Sequence, residues 1–355
     1  MPARFLKESL AGFQAYVPGE QPRDGEGWIK LNSNESPYPP SPRVLEAIRA
    51  AAGDSLRLYP SALATPARQA IAAAFEVRPE QVALGNGGDE LIEMCFRAFA
   101  AAGDTVAFPS PTYPVLEPLC AIHETRVSAH PLDGDWRLPP ALASDPAPLK
   151  FVVNPNSPTG TWYRRHEVEP VVAGSAGVVV LDEAYVDFAP EPRLDLLAGH
   201  DNLLILRTFS KSHALAGLRI GFALGHPDLI AALDLVKESY NVDRLAIAAA
   251  VAAIEDEHHH RALVRAVVED RDWLTAQLAA LGFDVEPPAA NFVFSRPPAG
   301  VPAATIAERL RARRVLVRHY SQPRLKDWLR ITVGRRDELQ VLVEALGEIV
   351  AGEAA

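Results

Sequence analysis

The chain has 355 residues, 48% apolar and 23% charged, a balance that excludes a disordered, collagen-like or disulfide-stapled chain. Its 35 basic and 45 acidic residues leave a net charge of −10, which argues against a nucleic-acid partner. The length predicts about two domains; with no run of 18 apolar residues and no apolar leader at the N-terminus, the expectation is a cytoplasmic protein without a membrane span.

Residues 1–40 read as irregular, broken by Pro18, Pro22, Pro37, Pro39 and Pro40. Ser41-Pro42, in N-cap then first-turn order, opens a helix over 44–52. Asp89 is expected to cap a helix over 90–100, and 105–108 reads as a strand ended by Pro109. The runs 151–153, 178–181 and 203–206 are continuous apolar strands ending at Asn154-Pro155, at Asp182 and at Arg207-Thr208. Such runs separated by helical segments predict a largely parallel sheet covered on both faces. A long helical region follows over 227–281, ended by Gly282. The last 75 residues read as an α+β unit, with strands at 291–294 and 329–333 and helices at 305–311 and 339–350. Cys95 and Cys120 lie in apolar surroundings and read as buried reduced thiols; no cysteine or histidine spacing indicates a metal. His258-His259-His260, among Glu255, Asp256 and Glu257, reads as a solvated surface run.

Polar residues gather after the carboxyl ends of these strands, where open α/β sheets bind ligands. Only six lysines are present, and Lys211 alone sits in a suggestive place, just after a buried strand and flanked by Ser210 and Ser212. A desolvated lysine can form a Schiff base with a carbonyl. Thr208, Ser210 and Arg219 could hold a phosphate beside it. Gly85-Asn86-Gly87-Gly88-Asp89-Glu90 precedes an apolar helix, where free backbone N–H groups bind phosphate, although a plain turn and helix cap would use the same residues. It lacks the nucleotide-binding lysine and the dinucleotide spacing, so neither ATP nor NAD is favoured. Asp182, at the end of an apolar strand, needs a cation; a protonated pyridine nitrogen is one, and a helix cap is the alternative. Asn154-Pro155-Asn156-Ser157-Pro158-Thr159-Gly160 is a rigid polar turn at the same edge. Together these groups suit pyridoxal 5′-phosphate.

On these stretches, with Leu31 to Tyr38, Asp182-Glu183-Ala184-Tyr185, Phe209 to Gly221 and Leu329 to Gly334, the chain resembles the fold type I pyridoxal-phosphate aminotransferases of class II. Within them it is most similar to the histidinol-phosphate aminotransferases. The resemblance implies an α/β fold with a large cofactor domain over 36–280 and a small α+β domain joining 1–35 to 281–355. It implies that Lys211 carries the cofactor aldehyde and moves the α-proton, that Asp182 pairs with the ring nitrogen, and that Tyr185 binds the ring oxygen. Tyr113 would stack on the ring, while Gly87, Gly88, Asp89, Thr208, Ser210 and Arg219 hold the phosphate. Tyr59 would reach that phosphate from a second subunit, implying a homodimer. Arg330, assisted by Arg336, would bind the substrate's acidic group, with Tyr16 and Asn34 lining the pocket. Ser157 stands where the family has an asparagine for the ring oxygen, so Asn156 or water would share that role. The implied reaction is transfer of an amino group between L-histidinol phosphate and 2-oxoglutarate in histidine biosynthesis. The alternatives are an aromatic amino acid aminotransferase and a threonine-phosphate decarboxylase-like lyase on the same scaffold.

Overall fold

The computed structural model describes residues 26–353, together with 5–7, 10, 13 and 17–23. Tyr16 lies outside the described residues. Three consecutive apolar strands form the centre of the larger sheet: β5 (Leu149–Val153), β6 (Val178–Asp182) and β7 (Leu203–Thr208). They are buried along their length because both faces are covered. Val179, Leu181, Leu203 and Ile205 pack into one apolar layer, with α2 (Thr65–Ala74) and α7 (Arg244–Glu255). Val180, Leu204 and Leu206 pack into the other, with α3 (Gly88–Phe99) and α6 (Pro227–Val236). Alternating residues therefore feed alternate layers, as the period of a strand requires. Cys95 and Cys120 are buried free thiols in the second layer.

The seven-stranded sheet is completed by β2 (Val82–Gly85), β3 (Thr105–Ser110), β4 (Arg126–Pro131) and β8 (Gly221–Gly225), in the order β2-β8-β7-β6-β5-β3-β4. All pairs are parallel except those of β8, which runs antiparallel to both β2 and β7. A five-stranded sheet, β1-β11-β12-β10-β9, is built from β1 (Ile29–Leu31), β9 (Asp284–Val285), β10 (Phe292–Arg296), β11 (Val315–His319) and β12 (Leu329–Thr332). Leu329, Ile331 and Val333 bury one face of β12 against α8 (Glu257–Ala280), α9 (Ala303–Ala312) and α10 (Arg336–Glu353). N-terminal β1 pairs in parallel with β11, so the two ends of the chain share this sheet.

Several sequence expectations are corrected. Asp89 does not cap α3; Gly87 does, at φ +83°, and Asp89 lies in the first turn. β3 continues through Pro109, because its pairing with β5 involves only Val106 and Ala107 and leaves that side free of a ladder bond at the proline. The helical region 227–281 is built from three helices, with Asp243 and Asp256 capping the second and third. His260 is not a solvated surface residue: its ring stacks on His213 with centroids 4.1 Å apart, although His258 is exposed.

Candidate active site

The carboxyl ends of β5, β6 and β7 open into a cavity of about 520 Å³ that is closed on its far side by the five-stranded sheet. Asp182, Tyr185, Thr208, Ser210 and Lys211 line it from one side, and Asn34 and Arg330 from the other. Gly88, Asp89, Tyr113, Ser157 and Arg219 complete the wall. A larger groove of about 1140 Å³ runs past Trp162, Phe188 and Val268 and includes none of the sequence-predicted site residues.

Asp182 sits where β6 stops, and its Oδ1 accepts the Ala184 N–H at 3.0 Å. Burial, with Asp89 and Glu183 nearby, pushes its carboxyl up to about 6. Among the described residues no cation forms an ion pair with it. Lys211 lies three residues past the end of β7, held by the turn in which Thr208 Oγ1 donates to Ser210 Oγ at 3.0 Å and accepts the Ser210 N–H at 3.1 Å. Burial, and then the charge of Arg330, pull the Lys211 amine down to about 8. The Tyr185 hydroxyl accepts from Asn34 Nδ2 at 3.1 Å, and Asn34 Oδ1 in turn accepts from Thr332 Oγ1 at 3.0 Å. Burial raises the Tyr185 phenol above its ordinary value, so it stays protonated and able to donate.

At the start of α3, Arg219 Nη2 donates to Asp89 Oδ2 at 3.0 Å and Tyr113 Oη to Asp89 Oδ1 at 2.9 Å. Arg219 takes the left-handed backbone, φ +50°, which is sparsely populated for a side-chain-bearing residue and here turns its guanidinium toward the helix start. A Cβ on Gly87 would lie 2.6 Å from that guanidinium and push it aside, on a backbone whose positive φ already favours glycine. Free N–H groups at the head of α3 beside an arginine form an anion cradle.

Arg330 Nη2 donates to the Asn32 carbonyl at 2.9 Å and Nη1 to Ser157 Oγ at 3.4 Å, while its Nε is buried with no hydrogen-bond partner. An orphaned buried N–H on a guanidinium beside a cavity fits a missing anion. Sequence reasoning missed Arg318, which also lines the cavity and stands opposite Arg330 in the β11–β12 register. The strand-like run Val315-Leu316-Val317-Arg318 carried the signal. Three other sequence-predicted residues are placed elsewhere. The Asn156 amide is spent beneath the turn, donating to the Pro111 carbonyl and Thr159 Oγ1 and accepting from Thr112, whereas Ser157 reaches the cavity wall. Arg336 is held by Asp270, Nε to Oδ1 at 2.8 Å, and lies over the Trp273 ring. Tyr59 is exposed and stacks on Tyr240, centroids 4.4 Å apart.

The donor set fits a phosphorylated ring with a cationic nitrogen and a carbonyl: an unpaired buried carboxylate, a lysine with a depressed pKa, a phenol donor and an anion cradle. The Aminotransferase class I and II family model matches residues 26–346. The chain is 43% identical over 344 residues to the histidinol-phosphate aminotransferase of Geotalea uraniireducens, covering 97% of this chain and 99% of that one. It is 47% identical over 359 residues to the enzyme of that name from Aromatoleum aromaticum, covering 98% and 99%. The crystal structure of the Sinorhizobium meliloti histidinol-phosphate aminotransferase in complex with pyridoxal-5′-phosphate superposes with a TM-score of 0.86 at 30% identity, covering 91% of each chain.

Proposed function

The chain belongs to the class I and II aminotransferases, and we propose that it interconverts L-histidinol phosphate and imidazole-acetol phosphate with 2-oxoglutarate and glutamate as the amino-group pair. The observation that carries this reading is one cavity walled by Lys211 and Asp182 on one side and by Arg330 and Arg318 on the other. The cofactor is pyridoxal 5′-phosphate, which when bound supplies an aldehyde to receive the amino group and a ring that withdraws electrons from the substrate's α-carbon.

With the cofactor bound, Asp182 would keep the ring nitrogen protonated, since carboxylate and cation would each remove the other's desolvation cost. Tyr185 would donate to the ring oxygen from a hydroxyl fixed by Asn34 and, through it, Thr332. Ser157, which lines the same cavity, would stand near that edge, and Tyr113 would cover one face of the ring. Gly87, Gly88 and Asp89 offer backbone N–H groups to the phosphate, with Thr208 and Ser210 adding hydroxyls and Arg219 a charge. The Asp89 carboxylate now holding Arg219 is half-exposed, so this pair is weak and yields readily to a dianion. Lys211 would hold the cofactor aldehyde through its Nζ, and its amine, once free, would take and hold the proton of the substrate's α-carbon. Arg330 binds the carboxylate of glutamate or the phosphate of histidinol phosphate, a role its planar fork suits. Arg318 opposite it brings a second positive charge, which favours a doubly charged substrate group over an uncharged aromatic ring.

We assign a homodimer in which Tyr59 reaches the partner's phosphate site. Leu56, Leu58, Tyr59, Leu63, Leu235 and Tyr240 are exposed apolar side chains on adjoining segments, a patch that suits an interface. No helix among the described residues is long and apolar enough to cross a membrane, and two free thiols suit the cytoplasm. The assignment is tested with purified Lys211→Ala protein, which is expected to show no turnover with histidinol phosphate; retained turnover overturns it.

A further inference from the structure

Two turns meet behind the cavity. One carries Lys211 and is closed on itself, the Ala214 N–H donating to the Lys211 carbonyl at 3.2 Å and the Leu215 N–H to the Phe209 carbonyl at 3.0 Å. The other carries Tyr185, with the Val186 N–H donating to the Glu183 carbonyl and the Phe188 N–H to the Tyr185 carbonyl, both at 3.1 Å. Among the described residues one hydrogen bond joins the two turns: the buried Ser212 hydroxyl donates to Asp187 Oδ2. Resting on the reading of Lys211 given above, we propose that Asp187 is a positioning residue for the amino-group transfer, acting through Ser212 to set where the Lys211 amine stands relative to Tyr185 and Asp182.

Three observations support this. First, Asp187 is itself fixed. Arg207, near the end of β7, donates from Nη1 to Asp187 Oδ1 and from Nε to Glu183 Oε2, both at 3.0 Å, so one guanidinium grips the Tyr185 turn on either side of the tyrosine. Glu183 is anchored in turn, its Oε1 accepting the Arg193 N–H at 2.7 Å. Second, the Ser212 hydroxyl gives its proton to a carboxylate paired with a guanidinium, and such charge-assisted bonds are roughly twice as strong as neutral ones. Third, Lys211 Nζ lies 5.7 Å from the centre of the Tyr185 ring, so sliding one turn against the other moves the amine directly. A displacement of about 1 Å caused far from the reacting atoms can cost on the order of 100-fold in rate. Neither Asp187 nor Ser212 lines the cavity, so both act through Lys211 rather than on the substrate.

The test starts from Ser212→Ala, which removes one hydroxyl and leaves the Arg207 pair in place. In the cofactor-loaded protein, kcat for histidinol phosphate is expected to fall on the order of 10-fold with KM unchanged. In the cofactor-free full-length chain, capture of pyridoxal 5′-phosphate is followed by stopped-flow absorbance as a function of pH. The midpoint of that profile, about 8 in the parent, is expected to move up as the amine leaves its buried place among Arg330, Glu35, Asp89 and Arg219. Asp187→Asn is expected to give the same two changes, and the double variant to be no slower than Asp187→Asn alone, because both act on one bond. Ser175→Ala, which removes a hydroxyl bonded to the Val171 carbonyl, is expected to change neither. Lowered melting temperatures with kcat and midpoint unchanged overturn the proposal, as do additive losses in the double variant or an equal shift in Ser175→Ala. Should Ser212→Ala fail to fold, Asp187→Asn is read against the same outcomes. A parent that captures no aldehyde at any pH overturns the Lys211 reading itself, whereas a parent with the expected profile beside an unchanged Ser212→Ala chain overturns this proposal alone.

Discussion

Asp182, proposed to hold the ring nitrogen, opposes the stability of its own fold. Its carboxyl stands at about 6 in the folded chain against 3.8 for the free group. The folded chain therefore holds this proton more tightly, and the stability that it contributes is lost as pH rises through that window. The difference corresponds to about 3 kcal/mol at neutral pH. Asp182→Asn keeps an acceptor for the Ala184 N–H and removes the charge. In thermal melts the cofactor-free variant is expected to unfold above the parent near neutral pH and level with it below about pH 4; a variant less stable than the parent near neutrality contradicts this. Lys211 obeys the opposite sign. Its amine is neutral above about 8, so the rate at which cofactor-free protein captures the aldehyde should climb with pH and level off beyond that value; a flat profile in stopped-flow absorbance contradicts the assignment. Arg330→Lys is expected to raise KM for both acidic substrates roughly 10- to 100-fold, since a point charge cannot replace a fork. Steady-state kinetics with unchanged KM would sink that role.

Which elements were legible depended on how local their signals were. β5, β6 and β7 announce themselves because they are buried on both faces, and each ends in the residues that line the cavity. β8 is hidden between two glycines. A Cβ on Gly221 would lie 2.9 Å from the Arg207 carbonyl and 3.1 Å from the Gly87 carbonyl carbon, a tertiary constraint absent from any local pattern. β4 is an edge strand interrupted by Ser128 and His130, so it lacks the apolar run of the centre. The arginines were harder still: with 29 in the chain, the composition cannot say which one faces a ligand. Arg318 meets Arg330 only through strand pairing, and Arg336 is drawn away by Asp270 on a distant helix. The Gly87 turn makes its own prediction. Gly87→Ala meets both a positive φ and the Arg219 guanidinium, and is expected to weaken cofactor affinity by about tenfold or more, measured by fluorescence titration; unchanged affinity removes Arg219 from the cradle.

The two sheets act together, since the larger one supplies Lys211 and Asp182 and the smaller one Arg330. The proposed homodimer adds a prediction that a single chain cannot satisfy. Lys211→Ala and Tyr59→Phe chains, each impaired alone, should regain part of their activity when mixed, because one of the two sites then holds both native residues; sedimentation of the active material as a monomer contradicts the shared site. The most direct test of the enzymatic assignment is a set of half-reactions on the cofactor-loaded protein. L-histidinol phosphate, glutamate, phenylalanine and threonine phosphate are added singly, while cofactor absorbance and carbon dioxide release are followed. The expected result is rapid conversion of the cofactor by histidinol phosphate and by glutamate, slow conversion by phenylalanine, and no carbon dioxide from threonine phosphate. Faster conversion by phenylalanine than by histidinol phosphate, or carbon dioxide release from threonine phosphate, contradicts the assignment.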